Sequence, residues 1–226
     1  IYFYQAQAYQ KINNEENLNN AIAKYNQLLE EFPETPYIEF CYFFIARAYQ
    51  SLEQYDDAIT YYDKINDEFP ESLQMDSAMM ERAIAYRKKG DEDGAIPSFL
   101  AVSRNEPSLF TTARLLLSQY LLAGGRDSEV IDVVSYAVED TSAIESLYRL
   151  SQLYIMLGNA KKNLGNLEES IADYSFAYNL EVPETQEMAS VYRAGVYIEL
   201  GQLETAERDL KELMNSDNED VKQNAQ

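Results

Sequence analysis

This sequence predicts an all-α solenoid, a stack of about six antiparallel helix pairs. Three observations point to it. A phrase close to AxAY recurs, as Ala6-Gln7-Ala8-Tyr9, Ala46-Arg47-Ala48-Tyr49, Ala83-Ile84-Ala85-Tyr86 and Ala194-Gly195-Val196-Tyr197. A second small residue usually follows twelve positions later, at Ala58, Ala95 and Ala206, or after three more residues at Ala21. The anchors at 6, 46, 83, 158 and 194 are spaced by 40, 37, 75 and 36 residues, and the 75 holds about two periods. A fixed period of this size means stacked helix pairs, because one pair cannot bury its apolar face alone.

The pairs are expected at 1–33, 38–70, 75–107, 111–140, 144–183 and 186–215. In the first, the phrase at Ala6 precedes Ala21 with three extra residues between, and Asn13-Asn14 marks a turn. The second sets Ala46 against Ala58, where a methyl group lets two helices approach, and Leu52, Ile59 and Tyr62 fill the surrounding layer. Ala83 and Ala95 repeat the arrangement in the third, around Gly90 and Asp91-Glu92-Asp93. No clear anchors mark the fourth: either its turn at Ala123-Gly124-Gly125 is distorted, or the stack bends there. The fifth is carried by Leu157-Gly158 and Gly165, the sixth by Ala194, Gly201 and Ala206. Pro33, Pro70, Pro107 and Pro183 read as stops. These interruptions exclude an unbroken coiled coil.

Composition narrows the functions. The chain has 226 residues, 46% of them hydrophobic, enough for a substantial interior. Its 19 Tyr suit thin helical layers, with rings packed inward and hydroxyls reaching water. With 39 acidic against 18 basic residues the net charge is -21, which repels nucleic acid and anionic lipid. No apolar run approaches the roughly eighteen residues of a membrane span. Cys41, the only cysteine, sits among apolar neighbours and reads as a buried, inert thiol. Residue 1 is Ile and already lies in a helical pattern, so the expectation is a single solenoid domain over 1–226, a fragment of a longer chain, with 111–140 a degenerate repeat.

Chemistry has little to work with. Without histidine, neither a Ser-His-Asp or Cys-His arrangement nor a His-containing zinc site can form. Carboxylate pairs such as Glu30-Glu31, Asp56-Asp57 and Glu168-Glu169 are what an acidic solvated face produces. The tail Asp217-Asn218-Glu219-Asp220 lacks the central glycine and spacing of a calcium loop, and no glycine run cradles a nucleotide. No catalytic residue, cofactor or metal is expected. The least implausible enzyme alternative is an accessory region of a carboxylate-dependent glycan hydrolase, because carboxylates alone can carry that reaction.

The chain resembles the tetratricopeptide repeat family. Tyr42, Ile45, Ala46, Tyr49, Ala58, Tyr62 and Pro70 carry the likeness in pair two, and Ala83, Tyr86, Gly90, Ala95, Phe99 and Pro107 in pair three. Leu157-Gly158, Gly165, Tyr174 and Ala177 carry it in pair five, with Ala194, Tyr197, Gly201 and Ala206 in pair six. The resemblance implies a right-handed superhelix that binds protein segments without catalysis. The endings Phe32-Pro33 and Phe69-Pro70 resemble repeats of bacterial outer-membrane assembly lipoproteins and cell-division coordinators, which favours periplasm or envelope over cytoplasm while leaving the compartment open.

First helices line the concave side of such a stack. Residues three, four and seven apart share a face, which offers Phe40, Phe43, Arg47 and Gln50, then Met80, Ile84, Arg87 and Lys88, then Asn159 and Lys162. These are the candidate groove residues for an extended or helical partner segment. The scarce basic residues on this lane either complement helix dipoles or form a positive strip for acidic groups or a free C-terminal carboxylate. Chaperone-binding members use a clamp of Lys and Asn. Only Asn159 matches it, with Arg47 and Ile84 replacing Asn in pairs two and three, so chaperone-tail recognition is not expected.

Overall fold

The computed structural model describes residues 1–144 and 146–214. Among these are twelve α-helices, one 3-10 turn at Thr141–Ala143, and no strand. The pairs are α1 (Tyr2–Ile12) with α2 (Glu15–Glu31), α3 (Ile38–Ser51) with α4 (Tyr55–Glu68), and α5 (Met75–Lys89) with α6 (Glu92–Ala101). Next come α7 (Pro107–Ala123) with α8 (Asp127–Glu139), α9 (Leu147–Asn163) with α10 (Leu167–Asn179), and α11 (Pro183–Glu199) with α12 (Leu203–Met214). The acidic stretch 217–220 and the expected end of pair six at 215 lie outside the described residues.

One sequence expectation needs correction, and one alternative left open can be struck out. Pro107 and Pro183, read as stops, open α7 and α11. Proline has no N–H to donate, and the first turn of a helix has no internal acceptor for one. The turn of pair four is not distorted: Gly125 is left-handed (φ 69°), and Arg126 N–H donates to Leu121 O at 2.9 Å. The same five-residue link closes the turns at Gln54–Tyr49, Asp91–Tyr86, Asn166–Lys161 and Gln202–Tyr197. Each satisfies carbonyls that the helix end would otherwise leave without donors.

The chain forms two compact units, Ile1–Leu109 and Phe110 onward. In the first, Ala6, Ala21, Ala46, Ala58, Ala83 and Ala95 are all fully buried. Aromatic rings fill the layers between them. Tyr25 stacks on Phe44 with centroids 5.9 Å apart, and Phe43 meets Phe44 and Tyr62 edge-on at 5.7 and 6.2 Å. In the second unit Gly158 takes the place of the alanine. A methyl group there would lie 2.6 Å from the Tyr174 ring, so the ring packs directly on helix backbone.

Polar bolts join successive pairs within each unit. Arg82, one residue before the anchor Ala83, donates to Asp63 on α4 at 2.6 Å and to Ser98 on α6 at 3.0 Å. Arg193, one residue before Ala194, donates to Ser175 on α10 at 3.1 Å and to Asp209 on α12 at 2.7 Å. The aspartate and serine have exchanged sides. Between pairs one and two the matching positions hold Asn26, Ile45 and Tyr61, and Tyr61 donates directly to Asn26 at 3.4 Å.

Candidate functional site

In the first unit the first helices α1, α3 and α5 follow one another along one strip, with Gln10 on α1 bonded to α3 and Gln50 on α3 bonded to α5. Each helix contributes from the same register, one, four and five residues after its anchor alanine. These are Gln7, Gln10 and Lys11 on α1, Arg47, Gln50 and Ser51 on α3, and Ile84, Arg87 and Lys88 on α5.

Buried tyrosines fix the amides of this strip. Tyr25 OH donates to Gln10 Oε1 at 3.3 Å, which leaves Gln10 Nε2 to donate to Phe44 O at 3.1 Å. Tyr62 OH donates to Gln50 Oε1 at 3.1 Å, and Gln50 Nε2 donates to Glu81 at 3.0 Å. Burial pushes both phenols well above their ordinary range, so they remain protonated donors. The glutamines therefore hold one orientation and tie each first helix to the next.

A recess of about 510 Å³ opens on this strip, lined by Gln7, Gln10, Lys11, Asn13, Phe44, Arg47 and Ser51. Arg47 is exposed, its guanidinium 5.9 Å from the Phe43 ring centroid. Among the candidates read from sequence, Lys88 is also exposed, while Phe40, Ile84 and Arg87 are half-buried. Phe43 and Met80 keep only 7% of their surface and belong to the interior. Asn159 and Lys162 lie in the other unit. There Asn159 accepts from Tyr174 OH at 2.7 Å and Lys162 pairs with Glu199 at 2.7 Å.

Gln7, Gln10 and Lys11 were not picked out from the sequence. The signal for them was present, because they stand to Ala6 as Arg47, Gln50 and Ser51 stand to Ala46. Cys41 is fully buried, and burial pushes its thiol up to about 12. Among the described residues, no group of three acidic, cysteine or histidine side chains is placed to hold a metal. No helix among them is long and apolar enough to cross a membrane.

A family model described as tetratricopeptide repeat matches residues 43–109, and two more of that description match 144–180 and 1–35, together more than half of the chain. The chain belongs to the tetratricopeptide repeat family. The C-terminal part of a repeat-containing protein from Cytophaga hutchinsonii is similar in fold, with a TM-score of 0.67 at 15% identity over 94% of this chain and 78% of that one. The apo form of RapI reaches 0.73 at 10% identity, over 99% of this chain and 68% of its own. MamA reaches 0.56 at 18% identity, over 74% and 91%. At these identities the likeness is one of tetratricopeptide fold. No curated protein matches the sequence.

Proposed function

We propose that this tetratricopeptide repeat chain is a non-catalytic scaffold that takes an extended or helical protein segment along α1, α3 and α5. The charge of the recess carries the reading. In a chain of net charge -21, none of the seven lining residues is acidic and two, Lys11 and Arg47, are cationic. The segment that fits presents acidic side chains or a free C-terminal carboxylate. The Arg47 guanidinium offers a planar fork for such a group, and Lys11 a mobile point charge. The preset Gln10 and Gln50 reduce the ordering that docking requires. The Phe32-Pro33 and Phe69-Pro70 endings support setting this interaction in a bacterial envelope assembly.

The glycan-hydrolase alternative gains nothing from this recess. Such chemistry needs two carboxylates facing one cleft, and the lining supplies none. A peptide array of acidic and C-terminally free segments tests the scaffold reading. Lys11→Glu with Arg47→Glu should abolish capture at low salt while leaving the helical circular dichroism spectrum intact. Capture equal to that of the parent chain would reject the recess as the binding site.

A further inference from the structure

The loops between pairs in the first unit carry a chemically opposite surface. They share a text, Phe-Pro-Glu-Thr at 32–35 and Phe-Pro-Glu-Ser at 69–72. They also share a fold. Phe32 N–H donates to Leu28 O at 2.9 Å and Thr35 N–H to Phe32 O at 3.0 Å; Phe69 donates to Ile65 O and Ser72 to Phe69 O, both at 2.9 Å. A tyrosine braces each loop. Tyr2 OH donates to Glu31 at 3.2 Å with its ring 6.5 Å from Phe32, and Tyr42 OH donates to Glu68 at 3.3 Å with its ring 6.2 Å from Phe69. These loops are fixed edges.

Each edge borders an open recess, about 980 Å³ at the first loop and 390 Å³ at the second. Large apolar groups stand in water there: Phe32 is 53% exposed, Tyr37 42% and Leu73 90%. Glu31 and Glu34 flank the first recess, Glu39, Glu68 and Glu71 the second, and no lysine or arginine lines either. Exposed apolar patches rimmed by like charge mark an interaction surface and select the opposite charge. Anionic lipid is repelled by the same carboxylates.

We infer that this loop edge docks a basic amphipathic segment of a protein partner. The segment's apolar face covers Phe32, Tyr37 and Leu73, and its lysines or arginines meet Glu34 and Glu71. The site is separate from the recess at Arg47 and prefers the opposite charge.

An amphipathic lysine–leucine peptide with helical spacing, labelled for fluorescence anisotropy, tests this on the whole chain. Phe32→Ser with Leu73→Ser should weaken binding by about tenfold or more, as should Glu34→Lys with Glu71→Lys, whereas Arg47→Glu should change it by less than about twofold. Unchanged circular dichroism checks that each variant folds. Binding that ignores Phe32→Ser with Leu73→Ser would reveal mere attraction to an acidic chain and overturn the inference. It would be overturned equally by self-association in sedimentation that those two substitutions dissolve, since the edge would then belong to a second copy.

Discussion

Arg193 donates from Nε to Asp209 Oδ2 across 2.7 Å, with the two side chains only 11% and 6% exposed. Removing one partner from a buried pair leaves an uncompensated charge, whereas replacing both by apolar groups does not. Asp209→Ala should therefore cost about 3–5 kcal/mol, and Arg193→Met with Asp209→Leu markedly less. In the other unit Asp63 is 43% exposed, so Asp63→Ala should cost about 1 kcal/mol or less despite its 2.6 Å contact with Arg82. Urea unfolding followed by circular dichroism ranks the variants. A double variant as unstable as Asp209→Ala would contradict this account.

Ala58 is fully buried on α4, with the Tyr62 ring one turn further on. Ala58→Phe should overpack the pair and lower stability by about 1–3 kcal/mol. The exposed neighbour provides the control, because Asp57→Ser removes a side chain that stands in water. A melting midpoint as little changed by Ala58→Phe as by Asp57→Ser would show the helices to be free to separate.

Asp173 gives a pH signature. Burial raises its carboxyl above the ordinary 3.8 and outweighs the opposing pull of Lys161, whose Nζ lies 2.8 Å from Oδ2. Just above 3.8 the unfolded carboxyl ionises while the folded one keeps its proton, so folding takes up a proton in that window. Stability from this group is thus full below 3.8 and is lost as pH rises through the folded value. Asp173→Asn should gain on the parent chain as pH rises. A constant difference between the two midpoints across that range would mean that Lys161 compensates the burial.

Cys41 should resist thiol reagents in the native chain. Its sulfur is fully buried and its thiol, at about 12, forms almost no thiolate at neutral pH. A disulfide-exchange reagent should label it only in urea. Rapid native labelling would place Cys41 nearer the surface than α3 holds it.

Much of this fold could be read because small residues mark where two helices touch. The marker failed in pair four, where the matching positions are Ser118 and Val130, twelve apart and both fully buried. Spacing persisted there while the alanine phrase did not. Pro107 and Pro183 were placed on the wrong side of a boundary, since a proline signals a break without saying which helix it belongs to. Helical spacing also set Phe43 and Met80 beside Arg47 and Arg87 on the lane. Spacing assigns a face but not depth, and the Phe43 ring turns inward against Phe44 and Tyr62. The loop edge stayed hidden because Phe32 and Leu73 look like core residues until the turns around them are built.

The exchanged aspartate and serine give the pairs an order. Pair two offers Asp63 to a neighbour that supplies Arg82 and Ser98, whereas pair five offers Ser175 to one that supplies Arg193 and Asp209. Splicing pair three after pair five would seat a guanidinium between two hydroxyls, with no carboxylate to balance it. Splicing pair six after pair two would press two carboxylates onto one arginine. Of these four combinations, only the two native ones bring one acid to each guanidinium, so the two junctions act as keyed couplings. Shuffled arrays assembled from these blocks would meet a mismatch of charge even where their helices stacked without a clash.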